Sequence, residues 1–392
     1  MNKFVLLPLQ LSDEIEVVER KGLGHPDTIC DALAENLSRT LCAEYRRRFG
    51  AILHHNVDKA LLCGGRAAPA FGGGVILAPI EIYLSGRAAL GTGSDALPIS
   101  EIAVESAKEW LKSNMHALDA DRHVEIHQRI RPGSVDLQAL FSARAGAVAR
   151  ANDTSIGVGY APLSPLERLV LAVERRINQE DRRQNPAWGE DVKVMGVRRG
   201  EVVDLTVACA MVGRHLMHKE DYLAAKASIT ALSHELAAEY DFVDVNIVVN
   251  AADTPESMFL TVTGTSAESG DDGEVGRGNR INGLITPCRP MTLEAAAGKN
   301  PVTHVGKIYS VIARQIAESL AQSPGIVRAE CLMVSRIGSP VTDPAIVQIK
   351  LATADASPAE SYSEYANDIT ADYLRDIPSL VEDFVAGTIP LY

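Results

Sequence analysis

Hydrophobic and polar positions along this chain switch repeatedly between a helical and a strand period. Ile29, Leu33, Leu37 and Leu41 recur every fourth residue and predict a helix over about 28–48. Ser100 is the expected cap of a second helix, with Ile102, Ala103, Ala107, Trp110 and Leu111 on its apolar face. Ser164-Pro165-Leu166-Glu167 reads as a capping box with proline at the first helical position. Leu166, Leu169, Val170, Val173 and Ile177 then form the buried face. Further helices are expected at 219–240, 303–321 and within 361–386. Between them lie β-branched runs: PIEIYLSG, VVDLTVACAMV, VDVNIVVNAA, MFLTVTGT and AIVQIKLAT. GVRRGEVVDL reads as two strands joined by a turn at Arg199-Gly200.

The coarse order is β-α-β-β, repeated about three times without internal sequence identity. It predicts an α+β fold of three similar units, with mixed sheets covered by helices. The expected units are 1–135, 136–262 and 263–392, interleaved with one another, and the joins fall near 132–152 and 264–280.

Composition narrows the function. A net charge of −13 over 392 residues argues against a general nucleic-acid binder, which needs a basic surface. It leaves room for a small basic pocket. Cysteines stand at 30, 42, 63, 209, 288 and 331, with no Cys-x-x-Cys pair, so a zinc or iron–sulfur site is not expected. Scattered cysteines fit a reducing cytoplasm. The first residues read as a strand rather than a signal peptide. No apolar run approaches the ~20 residues that would span a bilayer.

Three stretches carry candidate chemistry. In GLGHPDT, His25 and Asp27 sit where a helix begins, and Thr28 with Asp31 matches a capping box. A helix N-terminus favours an anion. Asp27 would repel that anion unless a divalent cation lay between them, so the pair suits a metal–polyphosphate ligand. Read more plainly, Asp27 is a cap and His25 a loop residue. In TGTSAESGDDGEVGRGNRINGLITP (263–287), glycines allow close approach, Asp271 and Asp272 offer metal ligands, and Arg277 and Arg280 offer phosphate clamps. The plainer reading is a solvated acidic hairpin tip. The stretch is neither a P-loop nor a dinucleotide fingerprint. In EAAAGKNPVTHVGKIY, Lys299, His304 and Lys307 gather cations at a helix start, against the dipole preference, as an anion site would. Two weaker signals are Asp191 with Lys193 on one strand face, which an ion pair also explains, and His123, Glu125 and His127, which mimic metal ligands. HHNVD at 54–58 is ambiguous alone.

Taken in order, GHPDTICDALAENL, ANDTSIGVGYAP, DVKVMG, GDDGEVGRGNR and GKNPVTHVGK resemble the motifs of S-adenosylmethionine synthetases across nearly the whole chain. ILHHNVDK, FGGG and EAAAGKNPVTHVGK are similar to the archaeal-type class. The widespread bacterial and eukaryotic class would have lysine in place of Thr28 and Gly278. The resemblance implies three α/β units around a pseudo-threefold axis. It implies ATP, L-methionine, Mg²⁺ and often K⁺, in homodimers whose active sites form between subunits. Catalytic roles would fall on His25, Lys193, Arg277 and Lys299, with Asp271, His304 and Lys307 also on the triphosphate. Asp153, Asp191 and Asp58 would orient adenosine or methionine, and Asp27, Asp271, Asp272 and Glu19 would hold metal. The implied reaction is attack of methionine sulfur on C5′ of ATP, release of triphosphate and its cleavage to pyrophosphate and phosphate. The alternative is another Mg²⁺-dependent nucleotide enzyme, such as a phosphotransferase.

Overall fold

The computed structural model describes residues 3–9, 15–92, 95–133, 149–180, 184–354 and 357–392. Its main elements, in chain order, are β1 (Phe4–Pro8), β2 (Ile15–Lys21), α1 (Pro26–Phe49), β3 (His55–Cys63), β4 (Ile80–Ala88), α2 (Ile99–Asn114), β5 (Val124–Arg131), β6 (Ile156–Ala161), α3 (Pro165–Arg175), β7 (Trp188–Arg199), β8 (Val202–Val212), α4 (Lys219–Glu239), β9 (Asp244–Val249), β10 (Gly273–Glu274), α5 (Val305–Ala321), β11 (Ile326–Val334), β12 (Ile346–Thr353), α6 (Ser363–Arg375) and α7 (Ile377–Ala386).

Three mixed sheets share one plan. Their orders are β10-β3-β4-β5, β2-β7-β8-β9 and β6-β11-β12-β1. In each, the two middle strands are an antiparallel pair, β3/β4, β7/β8 or β11/β12. One flank adds a parallel strand: β5, β9 or β1. The other adds an antiparallel strand: β10, β2 or β6. That antiparallel strand is always borrowed. β2 leads into α1 but pairs in the sheet that follows α3, β6 leads into α3 but pairs in the sheet that follows α5, and β10 precedes α5 but pairs with β3 after α1. The hand-over is cyclic, which makes the topology threefold.

Each sheet buries one face under its helices, giving three apolar cores. Ile29, Leu33, Leu37 and Leu41 of α1 meet Ile80, Ile82 and Leu84. Leu166, Leu169, Val170 and Val173 of α3 meet Val192, Val194 and Val203. Ile308, Ile312 and Ile316 of α5 meet Cys331, Met333 and Ile349.

Several local expectations need correction. α2 begins at Ile99 with Pro98 as its N-cap, so Ser100 lies inside its first turn. Thr28 and Asp31 form no capping box: His25 is the N-cap of α1, and the Thr28 hydroxyl donates to Lys21 O. MFLTVTGT pairs only at Leu260–Thr261. The helical stretch in 361–386 is two helices, with Pro378 in the first turn of the second. Where His123, Glu125 and His127 mimic metal ligands in sequence, His123 Nδ1 accepts from Asp119 N, and His127 stacks on Tyr83 at 4.7 Å, so this reading needs no change. Most of the expected join at 132–152 lies outside the described residues.

Candidate active site

The site is built where α1 starts, against the edge of β7. Gly22 N donates to Val192 O and Gly24 N to Glu190 O, laying the loop along the strand that carries Asp191 and Lys193. Glycine is needed at 24 for room: a Cβ there would lie 2.5 Å from Asp191 N. His25 then caps α1, its Nδ1 accepting from Asp27 N at 3.2 Å. An accepting Nδ1 places the remaining ring proton on Nε2. Burial lowers the His25 pKa; Asp191, Asp27 and Asp271 pull upward and Lys21 pulls down. The group is therefore a neutral donor rather than a cation at neutral pH.

Asp27 accepts from Lys21 Nζ at 2.8 Å and from Glu274 N at 2.9 Å. Burial opposes its charge, but these bonds hold its pKa below the ordinary value. Lys21 Nζ also donates to Arg277 O. Lys21 stands one residue before the GLGHPDT stretch, and nothing in its spacing marks it as the tie between helix and loop. Lys193 lies 3.2 Å from Glu19 Oε1, a buried oxygen that accepts no hydrogen bond. Asp191 is fully buried and its pKa is raised by that burial. Ser266 bridges two carboxylates: its hydroxyl is 2.5 Å from Asp191 Oδ2 and 3.0 Å from Asp271 Oδ2.

The glycine-rich stretch is a connector rather than a solvated tip. Gly273 lies so close to α1 that a Cβ would be 2.3 Å from the Pro26 carbonyl carbon. Gly276 N donates to Asp31, whose burial pushes its carboxyl up to about 7. Arg280 donates to Gly276 O, Gly278 O and Thr292 O, so it organises this loop instead of facing phosphate. Asp272 accepts from Gly64 N.

Beyond this loop, Arg277 lines a cleft of about 360 Å³ with Asp58, Lys59, Asp153, Glu294, Lys299 and His304. Lys299 Nζ sits 2.7 Å from Asp58 and 3.3 Å from Glu294. Burial works against its charge, yet Asp58 and Glu294 raise its pKa. Burial likewise opposes the charge on Asp58, but Lys299 and Lys59 bring its pKa to about 2. His304 repeats the His25 arrangement: it caps α5, with Nδ1 accepting from Gly306 N at 3.2 Å. Burial lowers its pKa to about 3, and Lys299 adds to that effect. Its Nε2 lies 3.9 Å from Asp153. Burial raises the pKa of Asp153.

Lys307 is not brought to the cleft. Its side chain is 1% exposed, and its ammonium meets both oxygens of Glu35 and Lys299 O at 2.7–3.0 Å. Its three donors are taken, so it has none left for a triphosphate.

A model of the S-adenosylmethionine synthetase (AdoMet synthetase) family matches residues 5–388. The chain belongs to the S-adenosylmethionine synthetase family. It is 46% identical over 396 residues to the S-adenosylmethionine synthase of Pyrococcus furiosus, covering 100% of this chain and 98% of that one. It is 48% identical over 395 residues to an Aquifex aeolicus protein named "Probable S-adenosylmethionine synthase", covering 98% of each. These relatives agree with the archaeal-type motifs. Among solved structures it resembles the "Unusual S-adenosylmethionine synthetase from Campylobacter jejuni", with a TM-score of 0.63 at 15% identity over 96% of this chain and 94% of that one. That likeness speaks for the α+β fold. Among the described residues, no helix is long and apolar enough to cross a membrane.

Proposed function

We propose that this chain makes S-adenosylmethionine from ATP and L-methionine, releasing triphosphate that it then cleaves to pyrophosphate and phosphate. Beyond family membership, one observation carries the mechanism: a neutral histidine, its Nδ1 fixed as an acceptor, caps a helix beside Asp191 and Asp271. In the reaction a sulfur lone pair forms the S–C5′ bond while the C5′–O bond breaks and its electrons stay on the triphosphate oxygen. A thioether is a neutral nucleophile and needs no base. The demand falls on the leaving group, so donors aimed at its oxygens dominate.

His25 Nε2–H donates to the oxygen leaving C5′. Lys193, Arg277 and Lys299 hold the phosphate chain, with His304 as a further neutral donor at the start of α5. Lys307 acts behind Lys299 rather than on phosphate. Asp153, Asp191 and Asp58 orient adenosine or the methionine amine. Around His25, Asp27, Asp191, Asp271 and Glu19 face Lys21 and Lys193, a negative surplus that fits a hard cation. Among the described residues no three such ligands are gathered to hold an ion alone. That fits Mg²⁺ arriving with the polyphosphate, which uses one or two carboxylates plus phosphate oxygens. Asp271 and Glu19 would hold it, and it would neutralise charge across the phosphates. Asp27 and Asp272 also accept main-chain N–H groups, and the lone pairs their carboxylates keep would be open to the same ion. A K⁺ requirement and a homodimer with active sites between subunits belong to the same proposal.

The test is to incubate the pure protein with ATP, methionine and Mg²⁺ and to analyse products by mass. S-adenosylmethionine with pyrophosphate and phosphate is expected. Consumption of ATP without S-adenosylmethionine would point to a phosphotransferase instead.

A further inference from the structure

Glu35 and Lys307 lie outside the cleft, 272 residues apart in sequence, and form a buried ion pair between α1 and α5. Lys307 Nζ is 2.8 and 2.7 Å from the two Glu35 oxygens and lies over the Phe384 ring at 5.3 Å. Taking two charges out of water is costly, and well-packed apolar substitutes are often at least as stable. Stability alone therefore gives a weak reason for this pair.

What the pair does besides neutralise itself is grip one short segment. Glu35 Oε2 accepts from Gly298 N at 2.9 Å. Lys307 Nζ donates to Lys299 O at 3.0 Å, and the Ser38 hydroxyl donates to the same oxygen. Val57 N donates to Gly298 O, and Asn300 N donates to Asn56 Oδ1. The peptide groups on both sides of Lys299 are thus held from α1, α5 and β3. Its ammonium, held to Asp58 and Glu294, lines the cleft. The pair also spans the two helices whose N-termini carry His25 and His304.

We propose that the Glu35–Lys307 pair is a positioning device that fixes the Lys299 backbone so that its ammonium meets the polyphosphate of the substrate. This rests on the reading of Lys299 as a triphosphate ligand. Neither residue of the pair touches substrate.

The test compares wild type, Lys299→Ala, the apolar double variant Glu35→Met/Lys307→Met and the isosteric Glu35→Gln. Calorimetric affinity for inorganic tripolyphosphate with Mg²⁺ is measured, with KM for ATP, KM for methionine and melting temperature. Wild type should bind tripolyphosphate and Lys299→Ala should bind it at least tenfold more weakly. Failure of either overturns the triphosphate reading, and this proposal with it. If both hold, the double variant should stay folded, with affinity about tenfold lower and KM for ATP raised in parallel. KM for methionine should stay near wild type, a split that general loosening of the fold would not produce. A folded double variant with wild-type affinity and KM for ATP overturns the positioning role while leaving the triphosphate reading intact. Should the double variant not fold, Glu35→Gln decides: about a threefold loss of affinity supports the proposal, and an unchanged affinity overturns it.

Discussion

His25 and His304 each turn Nδ1 toward a backbone N–H of the helix they cap, and each has its pKa lowered by burial. Two fixed Nε2–H donors result, at the positive ends of two helices, without the repulsion that two imidazoliums would add. For His25→Asn, asparagine caps as well as most residues do, so stability should change by less than about 1 kcal/mol. The same change should lower kcat by about 10²–10³-fold, the usual cost of losing one donor to developing negative charge. Urea unfolding and single-turnover formation of S-adenosylmethionine measure the two effects; a near-wild-type rate would remove His25 from the chemistry. Asp31 gives a pH test. Its carboxyl is raised from 3.8 to about 7 by burial, so the folded state binds its proton more tightly than the unfolded state. Stability contributed by the protonated form is complete near pH 4 and is lost as pH rises toward 7. Asp31→Asn keeps an acceptor for Gly276 N and should flatten that decline; melting temperatures across this window, identical in slope for both proteins, would contradict it.

At the scale of elements, the long periodic helices were legible because one apolar stripe decides them: the expected 28–48 is Pro26–Phe49, and 219–240 is Lys219–Glu239. The Ser164 capping box also forms as read. What could not be read were ties made only by folding, such as Lys21 to Arg277 O and Glu35 to Lys307. For the same reason Lys307 looked like a phosphate ligand: sequence shows three potential cations at a helix start, and only packing shows that one is neutralised by α1. The glycines before His25 provide clearance against β7. Gly24→Ala should therefore overpack the junction and destabilise the protein by at least about 1–3 kcal/mol. Urea denaturation reads this, and an unchanged midpoint would show that the loop does not press on β7.

Over the whole molecule, the threefold order was visible as recurring strand and helix patterns, whereas the cyclic exchange of β2, β6 and β10 was not, since it depends on which edge each strand finds. Because each sheet lacks a strand until its neighbour supplies one, the three cores should unfold together. The two tryptophans report on two of them, Trp110 in α2 and Trp188 in β7. Trp110→Phe and Trp188→Phe should give coincident fluorescence transitions in guanidinium once each is scaled to its own stability; separate midpoints relative to far-UV circular dichroism would show independent units. The same assembly brings the α1 cluster and the α5 cleft onto one loop, and there the central claim is that the bond broken in ATP is C5′–O. ATP labelled with ¹⁸O at the bridging 5′ oxygen tests this in one reaction with methionine. The label should leave entirely with the phosphate products, and none should stay on the nucleoside; label retained on adenosine or an adenine nucleotide product would mean cleavage at phosphorus, and the account would be wrong.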